Sequence, residues 1–562
     1  MSPFFITTAI DYTNAPPHIG HAYEKILADV IARYHRLKGD DVFLLSGVDQ
    51  HGQKVQQSAE KQGVAPQEFV DGVTAKFTAL WDKLDVRYDG WAATTDPRHK
   101  ACVQNILQRL WDEKDPATGA SRWIYKAARS GYYSVRQEQF LTDKERGPDG
   151  EFGAEWGQVE FREEENYYFR LVEHKQWLLD LIDKRSRESR PLVVPDFRVA
   201  ELRNAVEKIE GDLCISRPKA RLSWGIEFPF DPDFVTYVWF DALVNYISFA
   251  PGYDPAPAEV AAPGTSGGRS VGKQRPPEEF LRWWRTVTHV IGKDILIPAH
   301  GIYWPVMLKA LGFADDEMPT LLVHGWWNIA GAKMSKSTGN IVDPDALADK
   351  YGVEALRYYL MADIATGRDA DFSEERLVQR YNTDLANSIG NLLNRTLNMA
   401  LKYRDGKVSK PTDPERLLTL VDPVEDSAIN LVALCGRQAA RFCQLMDNHE
   451  VDKAINAAGL LSSYGNLLVE KAAPWNLIKE VKAGSDVAGK QLDAVLYHLA
   501  ESLRIIAILI SPVLPKAAAG IFMQLNWTGP MTLDAAQWGG LPDGHVLGKP
   551  VPLFPRIEIP AS

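Results

Sequence analysis

Cysteine is nearly absent from this chain. Its 562 residues include four, Cys102, Cys214, Cys435 and Cys443, and none forms a CxxC pair. That spacing supports neither a disulfide framework nor a cysteine-built zinc site. An excess of positive charge is missing too. Lys and Arg total 63 against 74 Asp and Glu, a net charge of −11. A general nucleic-acid coat would be basic throughout, so that class is disfavoured. One folded RNA held by local patches remains open, because affinity follows local geometry as well as total charge. Long apolar runs are scarce. The best, "LRIIAILISPVLPKAAAGIF" (Leu503–Phe522), is broken by Arg504, Pro512, Pro515 and Lys516, and reads as a buried helix pair, not a membrane span. The start, "MSPFFITTAI", carries no charged-then-apolar leader, so secretion is not expected. No repeat of fixed period is found. With 45% hydrophobic and 24% charged residues, the balance is that of an ordinary globular protein. The length suits roughly three or four domains, and a cytoplasmic enzyme is the expectation.

What is present begins at once. "FFITTAI" (Phe4–Ile10) is short, apolar and β-branched, which predicts a buried strand. Pro16 and Pro17 cannot continue it. Apolar residues then recur at Tyr23, Ile26, Leu27, Val30, Ile31, Tyr34 and Leu37, a helical spacing with Gly39 as a stop. "DVFLLSGV" (Asp41–Val48) predicts a second strand. Strand, helix and strand open a doubly wound α/β domain of Rossmann type. His18, Gly20 and His21, in "HIGH", fall where the first strand hands over to its helix. Ligands bind beyond the carboxyl ends of such strands, and a helix N-terminus attracts anions. Gly20 lets a group approach the backbone closely. Taken alone, so short a motif is equally a capped helix start with two surface histidines.

Strand and helix signals alternate to about Leu110, giving a first catalytic half at 1–115. Residues 116–230 mix aromatic and charged residues, as in "GYYSVRQEQF" and "VEFREEENYYFRL". Short strands with Gly-rich turns are predicted there, followed by a helix at "LVEHKQWLLDLIDKRSRES", the whole forming an inserted module. The α/β character resumes over 231–372, with strand, loop and helix in "VTHVIGKDILIPAHGIYWPVMLKALGF" and a further strand in "TLLVHGWWNIA". The Pro/Gly-rich stretch at 251–278 lacks periodicity and predicts a mobile surface loop. From Ser373 to 562 long periodic segments predict a helical bundle.

The second notable cluster is "GAKMSKSTGN" (Gly331–Asn340), where Lys333 and Lys336 lie among glycines and hydroxyl side chains. Such a loop can fold over a polyphosphate, its ammonium groups acting as point charges. It is also a plausible solvated surface loop on its own. Paired with "HIGH", it places two phosphate-seeking elements at separate strand ends of one sheet, where they can converge.

With these two motifs in this order the chain resembles a class I aminoacyl-tRNA synthetase, whose signatures they are. Longer stretches narrow the resemblance to the methionyl-tRNA synthetase family: "PPHIGHAYEKILADVIARYHRLKGDDVFLLSGVDQHGQK", "YVWFDALVNYI", "VIGKDIL", "HGWWNIAGAKMSKSTGN", "DLANSIGNLLNRTLNMA" and "KAAPWNLIK". The resemblance runs from Phe4 to about Phe522. Leucine, isoleucine and valine enzymes of the class carry a large editing insertion, for which this chain is too short. The cysteine enzyme reads its thiol with zinc-bound cysteines, which this chain lacks.

The resemblance implies methionine activation by ATP, then transfer to tRNA(Met). It gives the phosphates to His18 and His21 and to Lys333 and Lys336 of the loop. Gly20, Gly292 and Asp294 would complete the ATP site, with Asp294 on the ribose. Ala9, Ile10, Tyr12, Trp239, Ala242, Tyr246 and His300 would form the methionine pocket, and Asp49 would meet the α-ammonium. Asn387, Asn391, Arg395 and Trp475 would read the anticodon. Without the resemblance, Trp239, Tyr246 and Trp475 read as core and Asp294 as a turn residue. Three departures stand out. Ala9 replaces a frequent Pro, Asp11 replaces a second Tyr, and one extra residue precedes His300. The family's zinc knuckle has no cysteines here, so a metal-free knuckle is expected. Magnesium is expected with ATP. No tRNA-binding appendix follows the bundle, so a monomer is expected. Two other readings remain at this point: a class I synthetase for another amino acid, and a synthetase-like binding protein without catalysis.

Overall fold

The computed structural model describes residues 1–134, 139–141, 143–147, 149–253, 276–329, 331–333, 342–412, 419–421 and 428–558. Its centre is a parallel sheet of β1 (Pro3–Thr8), β2 (Asp11–Tyr12), β3 (Asp41–Asp49), β4 (Gly90–Ala93), β5 (Val193–Val194), β6 (Thr288–Gly292) and β7 (Thr320–His324). The order is β2-β3-β1-β6-β7-β5, with β4 also on β3. Alternate residues of each strand enter two separate cores. Ile6, Leu44, Val290 and Leu322 face one; Phe5, Leu45, Ile291, Leu321 and Val323 face the other. A parallel sheet covered on both faces therefore reads as a continuous apolar run. The chain order reverses between β1 and β6, and the crevice there is the topological switch point of such a sheet.

The first predicted strand stops two residues early, at Thr8. Ala9 and Ile10 separate it from β2, although both segments run along β3. The Ala9 carbonyl accepts from Lys25 Nζ at 2.8 Å. Helix α1 (Ile19–Lys38) follows and ends at Gly39, whose φ of +92° suits a residue without Cβ.

The inserted region has longer strands than its sequence suggested. Ile124–Ser134 and Val159–Phe169 pair antiparallel along their full lengths. Gln139–Leu141 and Leu213–Cys214 complete a four-stranded sheet. Two strands of the sheet systems tie this region back to the core. Val193–Val194 is β5 itself, and Asp231–Thr236 pairs with Ser216–Pro218 and Glu227–Phe228 before α2 (Val238–Ser248). The helix predicted after these strands is shorter, Lys175–Arg185. The predicted loop after β6 is instead helical. Lys293–Ile295 leads into wide turns at Leu296–Tyr303 and then helix Trp304–Ala310, with only Ile297 extended (φ −116°, ψ 125°). The predicted Pro/Gly-rich loop lies mostly outside the described residues, at 254–275.

The C-terminal part is built on α3 (Asn391–Arg404), α4 (Leu431–Asp447), α5 (Val451–Ala472), α6 (Pro474–Lys482) and α7 (Asp486–Ile510). Two short strand pairs accompany them, Lys407–Val408 with His545–Val546 and Thr419–Val421 with Ala428–Asn430. The longest apolar run resolves into α7 and a helix at Pro515–Gln524. Its Arg504 is buried against Glu501 at 2.6 Å. Among the described residues no helix is long and apolar enough to cross a membrane. The bundle shares the α1-side core, and polar contacts fix it there. Tyr34 donates to Asp447 at 2.8 Å. Arg357, on helix Val353–Ala362, pairs with Asp29 of α1 at 2.6 Å, both side chains fully buried. It also donates to the carbonyls of Leu84, Pro512 and Val513. Removing one partner of such a pair typically costs about 3–5 kcal/mol.

Candidate active site

A cavity of about 580 Å³ opens at the switch point. His18 is the N-cap of α1. Its Nδ1 accepts from Gly20 N at 3.1 Å, and its own backbone N–H donates to His21 Nδ1 at 3.1 Å. The rings lie 3.9 Å apart. With both Nδ1 atoms accepting, each neutral ring carries its proton on Nε2. The close approach that Gly20 permits is made by His18 itself. A Cβ at Gly20 would stand 2.9 Å from His18 Cε1.

Part of the cavity wall is apolar and aromatic. Trp239, Ala242 and Tyr246 fall at helical spacing on α2, and all three line it with Ala9, Ile10, Tyr12 and His300. Tyr246 is buried, whereas Trp239 is only partly covered. His300 Nδ1 bonds the Ile295 carbonyl at 2.9 Å, and its Nε2 meets the Tyr246 hydroxyl at 2.8 Å. The first bond places the proton on Nδ1, so Tyr246 donates to Nε2. Burial pushes the His300 pKa down to about 4, against the pull of the Ile295 carbonyl. The ring is therefore neutral. Tyr246 also stacks on His289, centroids 4.0 Å apart. The backbone is extended at Ile297, and His300 lines the cavity.

Asp49 ends β3 and lines the same space, its Oδ1 at 3.4 Å from both His51 N and Thr94 Oγ1. Asp241 of α2 accepts from His51 Nδ1 at 2.7 Å and His99 Nε2 at 2.8 Å. Burial alone would raise Asp241, but the two imidazoles outweigh it and hold its pKa at about 2. The Asp49 turn and the pocket helix are thus joined through one buried carboxylate. Gly292 and Asp294, just past β6, also line the cavity. Lys333 lies in the strand Ala332–Lys333, paired with Trp327–Ile329; its side chain, and Lys336 entirely, lie outside the described residues.

Sequence reasoning missed several neighbours. Glu24, Lys54 and His324 also line the cavity, and so does Asp11, one of the departures noted above. Lys25 is buried beneath them and bonds Asp11 at 2.7 Å and Glu24 at 2.8 Å. Adjacent charges beside Tyr23 and Ile26, inside an apolar stripe, were the available signal. His51, His99 and Asp241 gave none, because three distant segments contribute one residue each.

In the bundle, Asn387 accepts from Arg556 at 2.6 Å, Asn391 donates to Asn466 at 3.1 Å, and Arg395 stands 4.0 Å from Glu470. Asn466 and Glu470 are one turn apart on α5. Trp475, at the start of α6, is 41% exposed, so it is not the buried core residue that the bland reading offered. Among the described residues no group of three or more His, Cys, Asp or Glu side chains is gathered to hold a metal ion.

Residues 4–150 and 154–397 match the family described as tRNA synthetases class I (M), which fixes the class as a class I aminoacyl-tRNA synthetase. Residues 423–560 match the anticodon binding domain of methionyl tRNA ligase. A methionine--tRNA ligase of Thermosynechococcus vestitus is 38% identical over 575 residues, covering 100% of this chain and 99% of that protein. One of Deinococcus radiodurans is 39% identical, covering 99% and 74%. The Mycobacterium tuberculosis methionyl-tRNA synthetase in complex with methionyl-adenylate superimposes with a TM-score of 0.83 at 35% identity, covering 99% of this chain and 100% of that one. The chain belongs to the methionyl-tRNA synthetase family.

Proposed function

We propose that this enzyme joins methionine to ATP, releasing pyrophosphate, and then transfers the methionyl group from the adenylate to the 3′ end of tRNA(Met). The observation that carries the reading is one continuous cavity. The two histidines that cap α1 and a neutral Tyr246–His300 pair with its aromatic neighbours line it together. Aromatic rings and an uncharged imidazole suit a polarizable thioether. Asp49 takes the α-ammonium. Methionine's carboxylate attacks the α-phosphorus in line, and the bond to the bridging oxygen of pyrophosphate breaks. The Nε2–H groups of His18 and His21 donate to the phosphates as charge moves onto the leaving group. Lys336, with Lys333, does so from its loop, and Asp294 with Gly292 holds the nucleoside. Such donors act through position and charge, and each is worth about 10²–10³-fold in rate. Magnesium enters with ATP as its complex.

The division of labour follows the chain. The two α/β halves, 1–115 and 231–372, form the activation site, 116–230 flanks it, and 373–562 reads the tRNA. Asn387, Asn391, Arg395 and Trp475 supply amide, guanidinium and indole groups suited to unpaired bases. The test is exchange of labelled pyrophosphate into ATP, run across amino acids. Methionine should support exchange and leucine, isoleucine and cysteine should not. Exchange with another amino acid, or with none, would overturn the reading.

A further inference from the structure

The turn that follows β3 carries opposite charges at its two ends. Asp49 closes the strand, and Lys54 stands in the first turn of helix Gln53–Gln62. Both line the cavity. Bonds from several segments hold the turn between them. Gln50 N donates to Thr94 Oγ1 at 2.9 Å, and the Gln50 carbonyl accepts from Trp224 Nε1 at 2.6 Å. Gly52 N donates to the Trp224 carbonyl at 3.3 Å. His51 Nδ1 is fixed by Asp241 at 2.7 Å. Gly52 has φ +108°, and a Cβ there would stand 2.8 Å from the Tyr12 hydroxyl, so the turn packs directly on Tyr12. Tyr12 is also the register partner of Asp49 across β2 and β3. Asp49, Tyr12 and the start of the helix that carries Lys54 therefore form one fixed corner of the cavity.

Lys54 stands apart from the other polar groups of that wall. Among the described residues that line the cavity it is the one lysine or arginine, against the carboxyl groups of Asp11, Glu24, Asp49 and Asp294. It is exposed, and its ammonium makes no hydrogen bond or ion pair in the fold. Lys25 cannot take its place, because its side chain is fully buried and its three protons go to Asp11, Glu24 and the Ala9 carbonyl. His300 cannot either. Burial holds it neutral, and its two ring nitrogens are bonded to the Ile295 carbonyl and the Tyr246 hydroxyl. The helix beneath Lys54 adds to its charge. No side chain caps that helix, and its first turn holds no acidic residue, so the positive field of its N-terminus is left uncancelled.

An amino acid carries its ammonium and its carboxylate on one α-carbon, so the group that binds the first brings the second close to itself. A carboxylate brought in beside Asp49 meets a wall of carboxyl groups unless a cation faces it. We propose that the Lys54 ammonium pairs with the carboxylate of the bound amino acid, across the turn from Asp49, which takes the α-ammonium. The proposal rests on the activation reading above and gives the reacting group its own partner. The carboxylate must next approach the negatively charged α-phosphate, and an ammonium beside both offsets their repulsion. Lys54 is thus a substrate-contacting residue on the amino-acid side, separate in role from the histidines and lysines assigned to the phosphates.

The test is pyrophosphate exchange by the full chain, with methioninol as a competitive inhibitor. Methioninol keeps the side chain and the ammonium of methionine and carries a hydroxymethyl group in place of the carboxylate. Lys54→Met removes the charge and keeps the length of the stem. Because the ammonium has no partner in the fold, the unfolding midpoint should not move. In this variant kcat/KM for methionine should fall about 10- to 100-fold, the span of a hydrogen bond to a charged group, while Ki for methioninol stays within about twofold. Lys54→Arg should recover most of the loss. Equal losses against methionine and methioninol would mean a displaced pocket and would overturn the proposal. Unchanged exchange in Lys54→Met would overturn it as well, and if tRNA charging fell at the same time the side chain would belong to the tRNA instead. Wild-type exchange with methionine is measured in the same assay, so failure of the activation reading is seen separately.

Discussion

The proposed anticodon role of Trp475 predicts that replacing it with alanine separates tRNA charging from amino-acid activation. The indole is 41% exposed, so roughly three-fifths of it is covered by the bundle. A tryptophan buries at most about 150–250 Å², and at about 25 cal/mol per Å² the covered part stabilises the bundle by roughly 2–4 kcal/mol. That figure is an upper value, because the unfolded chain already covers some of this surface. The open face is a different quantity. A base stacked on it is worth about 1–3 kcal/mol, or roughly 5- to 150-fold in tRNA affinity. The expected result for Trp475→Ala is a lowered unfolding midpoint, unchanged pyrophosphate exchange, and kcat/KM for tRNA charging reduced by that factor. Trp475→Phe, which keeps a stacking face, should recover most of the charging. The exchange reaction is the internal control, since the proposed ATP and methionine site is the sheet crevice, which no residue of α6 lines. Normal charging by a folded Trp475→Ala protein would refute the stacking role. So would charging by Trp475→Phe as poor as that of the alanine variant.

Other outcomes follow from the cavity. His21→Ala or Lys336→Ala should lower single-turnover adenylate formation about 10²–10³-fold, with methionine binding nearly unchanged; rates close to wild type for both would remove the phosphate assignment. Gly20→Ala should lower exchange while the protein stays folded, because the added methyl meets the His18 ring at 2.9 Å and must displace it; unchanged exchange would show that the ring position is immaterial. Acid should destabilise the enzyme in two windows. The unfolded His300 ring takes a proton below about 6.5 and the folded ring only below about 4, so stability is lost as pH falls between these values, by about 3 kcal/mol in all. His289, held well below its ordinary value by burial, acts in the same direction. Asp241, held at about 2 from an ordinary 3.8, adds its loss only below about pH 4. Urea unfolding across pH 3–8 should show a flatter upper limb in His300→Gln, and limbs of equal slope in variant and wild type would contradict the assignment.

Local pattern was enough for much of this protein. The apolar run at Phe4, the helical spacing from Tyr23 to Leu37 and the stop at Gly39 each act within a few residues. They gave β1, α1 and β3 with errors of a residue or two at most places. The "HIGH" motif lay at the cap of α1 for the same reason, since a cap is a local device. Where the local pattern misled, long-range forces had intervened. The first strand ends at Thr8, next to Ala9, whose carbonyl accepts from Lys25. Residues 293–303 coil where a loop was expected, carrying His300 to Tyr246. Trp239 and Tyr246 share one helical stripe, and no periodicity tells a half-open cavity wall from a buried core.

The sequence by itself determined most of the strands and helices of the catalytic half, the family, and most of the residues that line the cavity. Only the tertiary structure decided the protonation of the site. Charge on a buried group depends on which acceptors surround it, and those come from segments far apart in the chain. Asp241 meets His51 and His99 only once α2 has packed against the β3 turn. Glu24 meets His324 only once β7 lies beside β6. Low local dielectric makes each such meeting decisive, and a linear sequence contains no record of which side chains will share it.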